Sequence, residues 1–147
     1  MKVKECMTNE VYFVTQETPI KVVAKLMADN HIGSIPVCTE KREILGFVTD
    51  RDIVLRAVSN GLDTNYTKVS DIMSTQILRT TPDSSVEDAQ EVMSINQIRR
   101  LPVVENNKVV GILTMGDLAH NNDIESNKVG QVVENICDCV GKTKNCQ

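Results

Sequence analysis

The sequence predicts a mixed α+β fold, an α/β sandwich built from one strand–helix–strand–strand–helix unit that occurs twice. The first observation is a heptapeptide at 46–52, with Gly, two apolar residues, Thr, two variable residues and Asp, which returns at 111–117. The second is an apolar-Pro-Val run at 35–37 that returns at 101–103. The offset is 66 residues as far as the prolines and 65 at the glycines, so the copies differ by one residue. An internal repeat of this kind determines the architecture of the whole chain.

The strands of each unit are predicted from short apolar runs. A β-prone run opens each copy, at 11–14 and at 76–78. After the first helix, two apolar runs flank a polar turn, which lies at 105–108 in the second copy and is longer, at 39–43, in the first. Asn in the shorter turn tolerates a positive φ, so a hairpin is expected there. The one-residue difference therefore falls in a hairpin tip, where a change in length is tolerated.

The helices follow from caps and periodicity. The first helix is predicted to begin at Thr18-Pro19, because Thr is a good N-cap and Pro suits the first helical position. Apolar residues at i, i+3, i+4 and i+7 over 20–27 give it one buried face. Ser84 or Ser85 provides the cap in the second copy. Each Thr-x-x-Asp then starts another helix, which in the first copy continues through Ile53, Val54 and Ala57.

The predicted boundaries are repeat 1 at 1–64, repeat 2 at 65–125, and a C-terminal helix with a polar, cysteine-containing tail at 126–147. Units of about 60 residues are marginal alone, so we expect them to pack together around a core of Val, Ile, Leu and Met. An apolar stripe over 129–136 predicts a closing helix that packs on the core or on a partner.

Composition excludes several classes of function. The net charge of −4 argues against binding to nucleic acid, which requires a basic surface. The chain has no apolar run of membrane-spanning length and no signal peptide, so we expect no membrane association and a cytoplasmic location. Five irregularly spaced cysteines do not form the disulfide framework of a secreted domain. Cys38 is interpreted as a buried strand residue.

These repeated motifs carry a family resemblance. The chain resembles a tandem pair of cystathionine-β-synthase (CBS) domains, expected to stand alone, from Val3 to about Ala119. The resemblance depends on the two Gly-x-x-Thr-x-x-Asp heptapeptides, the two apolar-Pro-Val runs and an Asp/Glu-x-Met start at 5–7 and 71–73. The residues at 49–53 and Cys38 resemble small bacterial pairs of the hypoxic-response-protein type. The resemblance to the CBS family implies pseudo-two-fold packing, two ligand clefts and dimerisation. It also implies AMP, ADP, ATP or S-adenosylmethionine as the ligand.

The repeated motif has the chemistry to hold an adenine nucleotide. An ionised Asp accepts both hydroxyls of a ribose through charge-assisted hydrogen bonds, and Asp52 and Asp117 are the candidates. Thr49 and Thr114 stand one turn earlier, at a predicted helix start that favours a phosphate, and their hydroxyls are expected to donate to that phosphate. The alternative is structural, since Thr-x-x-Asp is also close to a capping box, in which Thr caps the helix and the acid reaches back.

The adenine base is expected to lie near the apolar-Pro-Val runs. Proline removes one N–H from the strand, so neighbouring backbone groups are free for the adenine edge, and apolar neighbours sandwich the base. Glycines of the heptapeptides lack a side chain, which is consistent with a close backbone approach. The residues concerned are Ile35, Pro36, Gly46, Leu101, Pro102 and Gly111.

The two clefts are not expected to be equal. By resemblance, Arg99 and Arg100 reach the phosphates of a nucleotide held by Asp117, and the segment 7–12 borders that cleft while 73–78 borders the other. Tyr12 stacks on the base or packs in the core. Solvation and local ion pairs are the plainer alternative for the two arginines.

The Asp52 cleft is predicted to take a less charged ligand such as S-adenosylmethionine, or to stay empty. Asp50 adds a negative charge there, which Arg51 and Arg56 partly offset. The Asp117 cleft is accordingly the one predicted to hold a phosphorylated ligand.

The sequence therefore favours a regulatory binding module whose packing changes with an adenosine ligand and is read by an effector protein. The sequence contains neither a nucleophile–base pair nor a P-loop, so it does not predict an enzyme. It does not predict a metal site either. Two alternatives remain. One is a homodimeric scaffold that binds no ligand. The other is a thiol or metal sensor that uses Cys137, Cys139 and Cys146, whose spacing is not the Cys-x-x-Cys of zinc sites.

Overall fold

The computed structural model describes residues 1–137, and the predictions for Cys139 and Cys146 lie outside that range. The chain forms two compact units. Among the described residues, the Asp52 unit comprises 11–77 with 106–109, and the Asp117 unit comprises 1–10, 78–105 and 110–137. No helix within 1–137 is long and apolar enough to cross a membrane.

Two helices and a hairpin build the Asp52 unit. Its elements in chain order are α1 (Ile20–Asn30), β1 (Ser34–Cys38), β2 (Ile44–Thr49), α2 (Asp50–Asp52), a π-helix (Ile53–Val58) and a 3₁₀ turn (Val69–Asp71). The helix predicted after Thr49 is present, but after one α-helical turn its hydrogen bonds span five residues, as from the Ser59 N–H to the Val54 carbonyl.

The Asp117 unit repeats this order and adds a final helix. Its elements are a 3₁₀ turn (Val3–Glu5), α3 (Val86–Ile95), β3 (Arg100–Glu105), β4 (Lys108–Thr114), α4 (Met115–His120) and α5 (Ser126–Cys137). The mixed helix and strand content confirms the predicted α+β class. Each described sheet contains one pair of strands, β1 with β2 and β3 with β4.

Each unit has its own aliphatic core. In the Asp52 unit, Ile20, Val23, Ile35, Val37 and Val48 are fully buried. In the Asp117 unit, five side chains from α3, β3 and β4 are likewise buried: Val86, Met93, Leu101, Val103 and Leu113. Val132 and Ile136 of α5 are buried against this second cluster, which confirms that the final helix closes a core.

The hairpins follow the predicted turn chemistry. β1 and β2 are antiparallel, with Ser34 opposite Thr49 and a register shift between Val37 and Cys38. In the second hairpin Asn106 and Asn107 have φ of 50° and 63°. Two consecutive residues with positive φ match the right-handed twist of paired strands, which is why asparagine suits this short tip.

The predicted opening strands, 11–14 and 76–78, are wrong as strands. Only Val14 pairs, in an isolated parallel bridge to Val37. Its N–H donates to the Pro36 carbonyl at 3.1 Å, and its carbonyl accepts from the Cys38 N–H at 2.8 Å. Extending this parallel ladder backwards would require the N–H of residue 36 to reach the carbonyl of Tyr12, and proline has no N–H.

The second copy stops for the same reason. Thr80 donates to the Pro102 carbonyl at 3.0 Å and accepts from the Val104 N–H at 2.8 Å. The next acceptor, the Leu78 carbonyl, would need the N–H that Pro102 lacks. The proline that identifies each repeat therefore also limits its third strand to a single bridge.

The helix starts were predicted with mixed success. Pro19, with ψ of 145°, is the N-cap of α1, and Thr18 makes no cap because its hydroxyl lies 3.3 Å from that of Thr15 in the preceding turn. In the second copy Ser85 is the cap, as predicted, and accepts from the Asp88 N–H at 3.0 Å.

Candidate functional site

The first Thr-x-x-Asp forms a capping box. Thr49 ends β2, and its hydroxyl oxygen accepts from the Asp52 N–H at 3.2 Å. In return Asp52 Oδ2 accepts from the Thr49 N–H at 2.9 Å. The side chain of Asp52 is 16% exposed, and its other oxygen, Oδ1, lies 3.7 Å from Arg56 Nε. The carboxylate is therefore held in one orientation at the end of the strand.

The second Thr-x-x-Asp forms the same box with more bonds. Thr114 Oγ1 accepts from the Asp117 N–H at 3.1 Å. Asp117 Oδ2 accepts from both the N–H and the hydroxyl of Thr114, each at 2.8 Å. The Thr114 hydroxyl proton is thus directed to the carboxylate, and the role predicted for it, donation to a phosphate, is not the one it performs in this structure.

The outward oxygens of the two carboxylates have different neighbours. Asp117 Oδ1 accepts from the Thr8 hydroxyl at 3.0 Å. In the Asp52 unit the residue equivalent to Thr8 is Ser74, whose hydroxyl lies 3.4 Å from Arg56 Nη1. A neutral hydroxyl therefore faces one carboxylate and a guanidinium faces the other.

Sequence reasoning did not identify Thr8. It follows the Asp/Glu-x-Met start of the first copy, and Ser74 follows that of the second, so a hydroxyl after methionine in both copies was the available signal. The backbone of Thr8 forms an antiparallel bridge with Ile112 of β4. The start of the first repeat therefore lies beside Asp117 at residue 8, as the resemblance implied.

The glycines that open the two heptapeptides are covered by methionine side chains. A Cβ on Gly111 would lie 2.5 Å from Met7 Sδ and 3.1 Å from the Thr8 carbonyl oxygen. A Cβ on Gly46 would likewise collide with the Sδ and Cγ of Met73. The close approach predicted at these glycines is present, but a methionine side chain makes it.

The groups expected around the base are engaged elsewhere. Ile35 and Leu101 are fully buried core residues, so in this structure neither side chain lines an open surface. The carbonyls of Pro36 and Pro102 accept from the bridges at Val14 and Thr80 described above. The contact of these side chains with a base, and the use of backbone groups near the prolines for its edge, stay predictions.

The two arginines lie where β3 begins. The Met115 N–H, at the start of α4, donates to the Arg99 carbonyl at 3.1 Å. Arg99 is exposed and Arg100 is half-buried. The hydrogen bond places the Arg99 backbone beside the turn that carries Thr114 and Asp117, so the arginines belong to the same end of the unit as that carboxylate.

Tyr12 falls in the Asp52 unit and is 45% exposed, so it is not a core residue of that unit. Its stacking on a base stays a prediction.

The described cysteines are not arranged as a metal centre. Residues 1–137 contain no cluster of three or more His, Cys, Asp and Glu that could hold a metal ion. Cys38 is fully buried, as predicted, and burial raises its pKa to about 11. Burial also raises the pKa of Cys6, with a further contribution from the negative charge of Asp117. Both thiols are therefore protonated at neutral pH.

Comparison with known proteins assigns the family. The CBS domain model matches residues 3–59 and 69–122, and the chain therefore belongs to the CBS domain family. The CBS domain-containing protein YhcV of Bacillus subtilis (strain 168) is 42% identical over 134 residues, which span 91% of this chain and 94% of YhcV.

Solved structures agree with this assignment. The crystal structure of Hypoxic Response Protein I with two coordinated zinc ions is 28% identical, with a TM-score of 0.76, over 82% of this chain and 98% of that one. The CBS domain pair of protein MJ0100, in complex with 5′-methylthioadenosine and S-adenosylmethionine, is 25% identical, with a TM-score of 0.72, over 81% and 93%. These findings confirm the tandem CBS pair and the likeness to the hypoxic response protein.

Proposed function

We propose that this protein is a regulatory module that binds an adenosine compound, AMP, ADP, ATP or S-adenosylmethionine, through the carboxylates of Asp52 and Asp117, and that it is not an enzyme. The observation that carries the proposal is the pair of capping boxes, which fix each carboxylate by one oxygen and turn the other away from the helix backbone. A carboxylate already held in place loses little freedom when it accepts a ribose. The ligands in the MJ0100 structure, both adenosine compounds, support the same ligand class.

Charge supports a phosphorylated ligand in the Asp117 unit. Arg99 and Arg100 lie at the end of the unit that carries Asp117, and guanidinium groups suit phosphate oxygens. The roles of Thr49, Thr114, Pro36, Pro102 and Tyr12 remain part of the proposal. Ile35 and Leu101, which are fully buried in this structure, are proposed to contact the adenine base.

A second copy of the chain is proposed to cover the π-helix of the Asp52 unit. Val54, Leu55 and Val58 on this short segment are each about half exposed, at 56%, 49% and 61%. Three adjacent aliphatic side chains in water are typical of an interaction surface. Light scattering after gel filtration should give the dimer mass for the wild-type chain and the monomer mass for Val58→Lys.

Two further parts of the proposal concern the cell: the protein is located in the cytoplasm, and an effector protein recognises its ligand-bound state.

A non-binding scaffold is the second candidate. It is favoured by the completeness of the capping boxes, because reciprocal Thr–Asp bonds explain the repeated motif without any ligand. The two candidate functions share the same fold and differ in whether the protein binds an adenosine compound.

Isothermal titration calorimetry tests the proposal. The wild-type chain is titrated with AMP, ADP, ATP and S-adenosylmethionine, with GTP as the control for the base. Saturable binding of at least one adenosine compound, weakened tenfold or more when Asp52 and Asp117 are both changed to Asn, supports the module. The Asn side chain keeps an oxygen for the cap and removes the charge. No binding of any adenosine compound would favour the scaffold.

A further inference from the structure

The hydroxyl of Thr8 occupies an acceptor position that a ribose would need. A carboxylate offers about four acceptor positions, two on each oxygen. At Asp117 the N–H and hydroxyl of Thr114 fill both positions of Oδ2, and the Thr8 hydroxyl fills one position of Oδ1. Among the hydrogen bonds formed by residues 1–137, this leaves one acceptor position on Asp117, whereas the adjacent hydroxyls of a ribose need two.

The equivalent carboxylate in the Asp52 unit is more open. Asp52 Oδ2 accepts one bond, from the Thr49 N–H. Within residues 1–137, the group facing Oδ1 is Arg56, at an ion-pair distance of 3.7 Å that is too long for a hydrogen bond. Ser74, which stands where Thr8 stands, has its hydroxyl near Arg56 Nη1 and makes no bond to Asp52.

We propose that Thr8 is a specificity-determining residue that closes the Asp117 carboxylate to a ribose diol until its hydroxyl is displaced. The inference rests on the proposed function and deepens it. The Asp52 carboxylate has acceptor positions open for both hydroxyls of a cis-diol. At Asp117, the Thr8 hydroxyl occupies the position that one ribose hydroxyl would take. The two carboxylates then differ in their preference for ribose over deoxyribose, although the motif around them is the same.

The backbone of Thr8 is held independently of its side chain. The Thr8 N–H donates to the Ile112 carbonyl at 2.9 Å, and the Ile112 N–H donates back at 3.0 Å. Thr8→Val therefore removes the hydroxyl and keeps both the shape of the side chain and its position beside β4. Thr8→Ser keeps the hydroxyl, and Ser74→Ala removes the equivalent hydroxyl in the other unit.

The test measures ribose selectivity in the full-length chain. Calorimetric Kd values are measured for AMP, 2′-deoxy-AMP and 3′-deoxy-AMP in an Asp52→Asn background, in which Asp117 is the remaining carboxylate. With Thr8→Val, the Kd for AMP should fall about tenfold, because AMP gains one more hydrogen bond to the carboxylate. A hydrogen bond to a charged group changes a Kd by about tenfold or more. The Kd values for both deoxy compounds should change less than about twofold, since one free acceptor already suffices for one hydroxyl.

The controls separate this effect from a general structural one. Thr8→Ser and Ser74→Ala should both leave the ratio of the AMP and deoxy-AMP constants as it is in the Asp52→Asn chain. Three results would overturn the inference. The Kd values for AMP and the deoxy compounds change equally, Thr8→Val binds AMP more weakly, or AMP does not bind with either Thr or Val at position 8. If no adenosine compound binds the wild-type chain, the proposed function fails and this inference fails with it. If they bind and the ratio does not move, only this inference fails.

Discussion

The sulfur of Met7 lies over the α-carbon of Gly111, so close that a Cβ on the glycine would be 2.5 Å from it. Met73 covers Gly46 in the same way. In each unit the methionine belongs to the Asp/Glu-x-Met start of one repeat, and the glycine opens the Gly-x-x-Thr-x-x-Asp motif of the other repeat. The glycine and the methionine are therefore one packing feature, which holds the segment carrying Thr8 or Ser74 beside the carboxylate.

Gly111→Ala is expected to destabilise the protein. The added methyl group collides with Met7 and lies 3.1 Å from the Thr8 carbonyl oxygen, a backbone atom that is fixed by its bridge to Ile112. Overpacking of this kind costs about 1–3 kcal/mol of unfolding free energy, which urea denaturation measures.

Gly130→Ala is the matched control. Gly130 lies inside α5, and apart from the neighbouring backbone of that helix no atom of residues 1–137 lies within 4 Å of an added Cβ. The Gly130→Ala variant should gain up to about 1 kcal/mol of unfolding free energy from the better helix propensity of alanine. Equal stability of wild type and Gly111→Ala would show that Met7 moves aside freely and that the packing is loose.

The ion pairs that Lys2 and Lys4 form with Asp83 should be lost in acid. Lys2 and Lys4 contact Asp83 at 2.9 and 2.8 Å, and these bonds, first that from Lys4, lower the pKa of Asp83 to about 2. A lowered carboxyl pKa stabilises the fold above the unfolded pKa, about 4, and this contribution disappears as the pH falls towards 2.

Thermal unfolding of Asp83→Asn tests this linkage. The melting temperature of the variant should lie below that of the wild type at pH 5, and the difference should vanish near pH 2. Because the pair is exposed, 1 M NaCl should also reduce the difference at pH 5. A difference that stays constant from pH 5 to pH 2 would assign the effect to something other than the ionised carboxylate.

Cys38 should be chemically inert in the folded protein. It is fully buried and its pKa is raised to about 11, whereas the thiolate is the reactive form. In a chain that keeps only this cysteine, a disulfide reagent at pH 8 should react at the rate of global unfolding and rapidly in 8 M urea. Fast reaction of the native chain would contradict the burial.

Much of the fold was predictable because its signals are local. The hairpin tip at Asn106 and the cap at Ser85 depend on residues within a few positions of each other. The opening strands were not predictable from propensity, because Pro36 and Pro102, distant in sequence, withhold the N–H that a longer ladder needs.

The site shows the same division. The Thr-x-x-Asp motifs were found from the sequence, and so was their alternative role as caps. The partner of the outward oxygen of Asp117 was not found, because no spacing rule relates Thr8 to Asp117. Arg56, by contrast, stands four residues after Asp52, a spacing at which side chains on one helix face meet, and the sequence had already placed its charge near that carboxylate. Residue types reveal what a group is able to bind, and the fold decides which acceptors remain open.

The most direct test of the central claim is the unfolding free energy with and without an adenosine compound. The wild-type chain and the Asp52→Ala/Asp117→Ala variant are denatured in urea, each alone and with AMP, ADP, ATP or S-adenosylmethionine at a hundred times the Kd. Loss of the caps should lower the stability of the variant by about 1 kcal/mol per site under all conditions. The account predicts that at least one compound adds about 2.7 kcal/mol to the wild type and nothing to the variant. If every compound leaves the wild type unchanged, or stabilises both proteins equally, the two carboxylates are helix caps and not a ligand site.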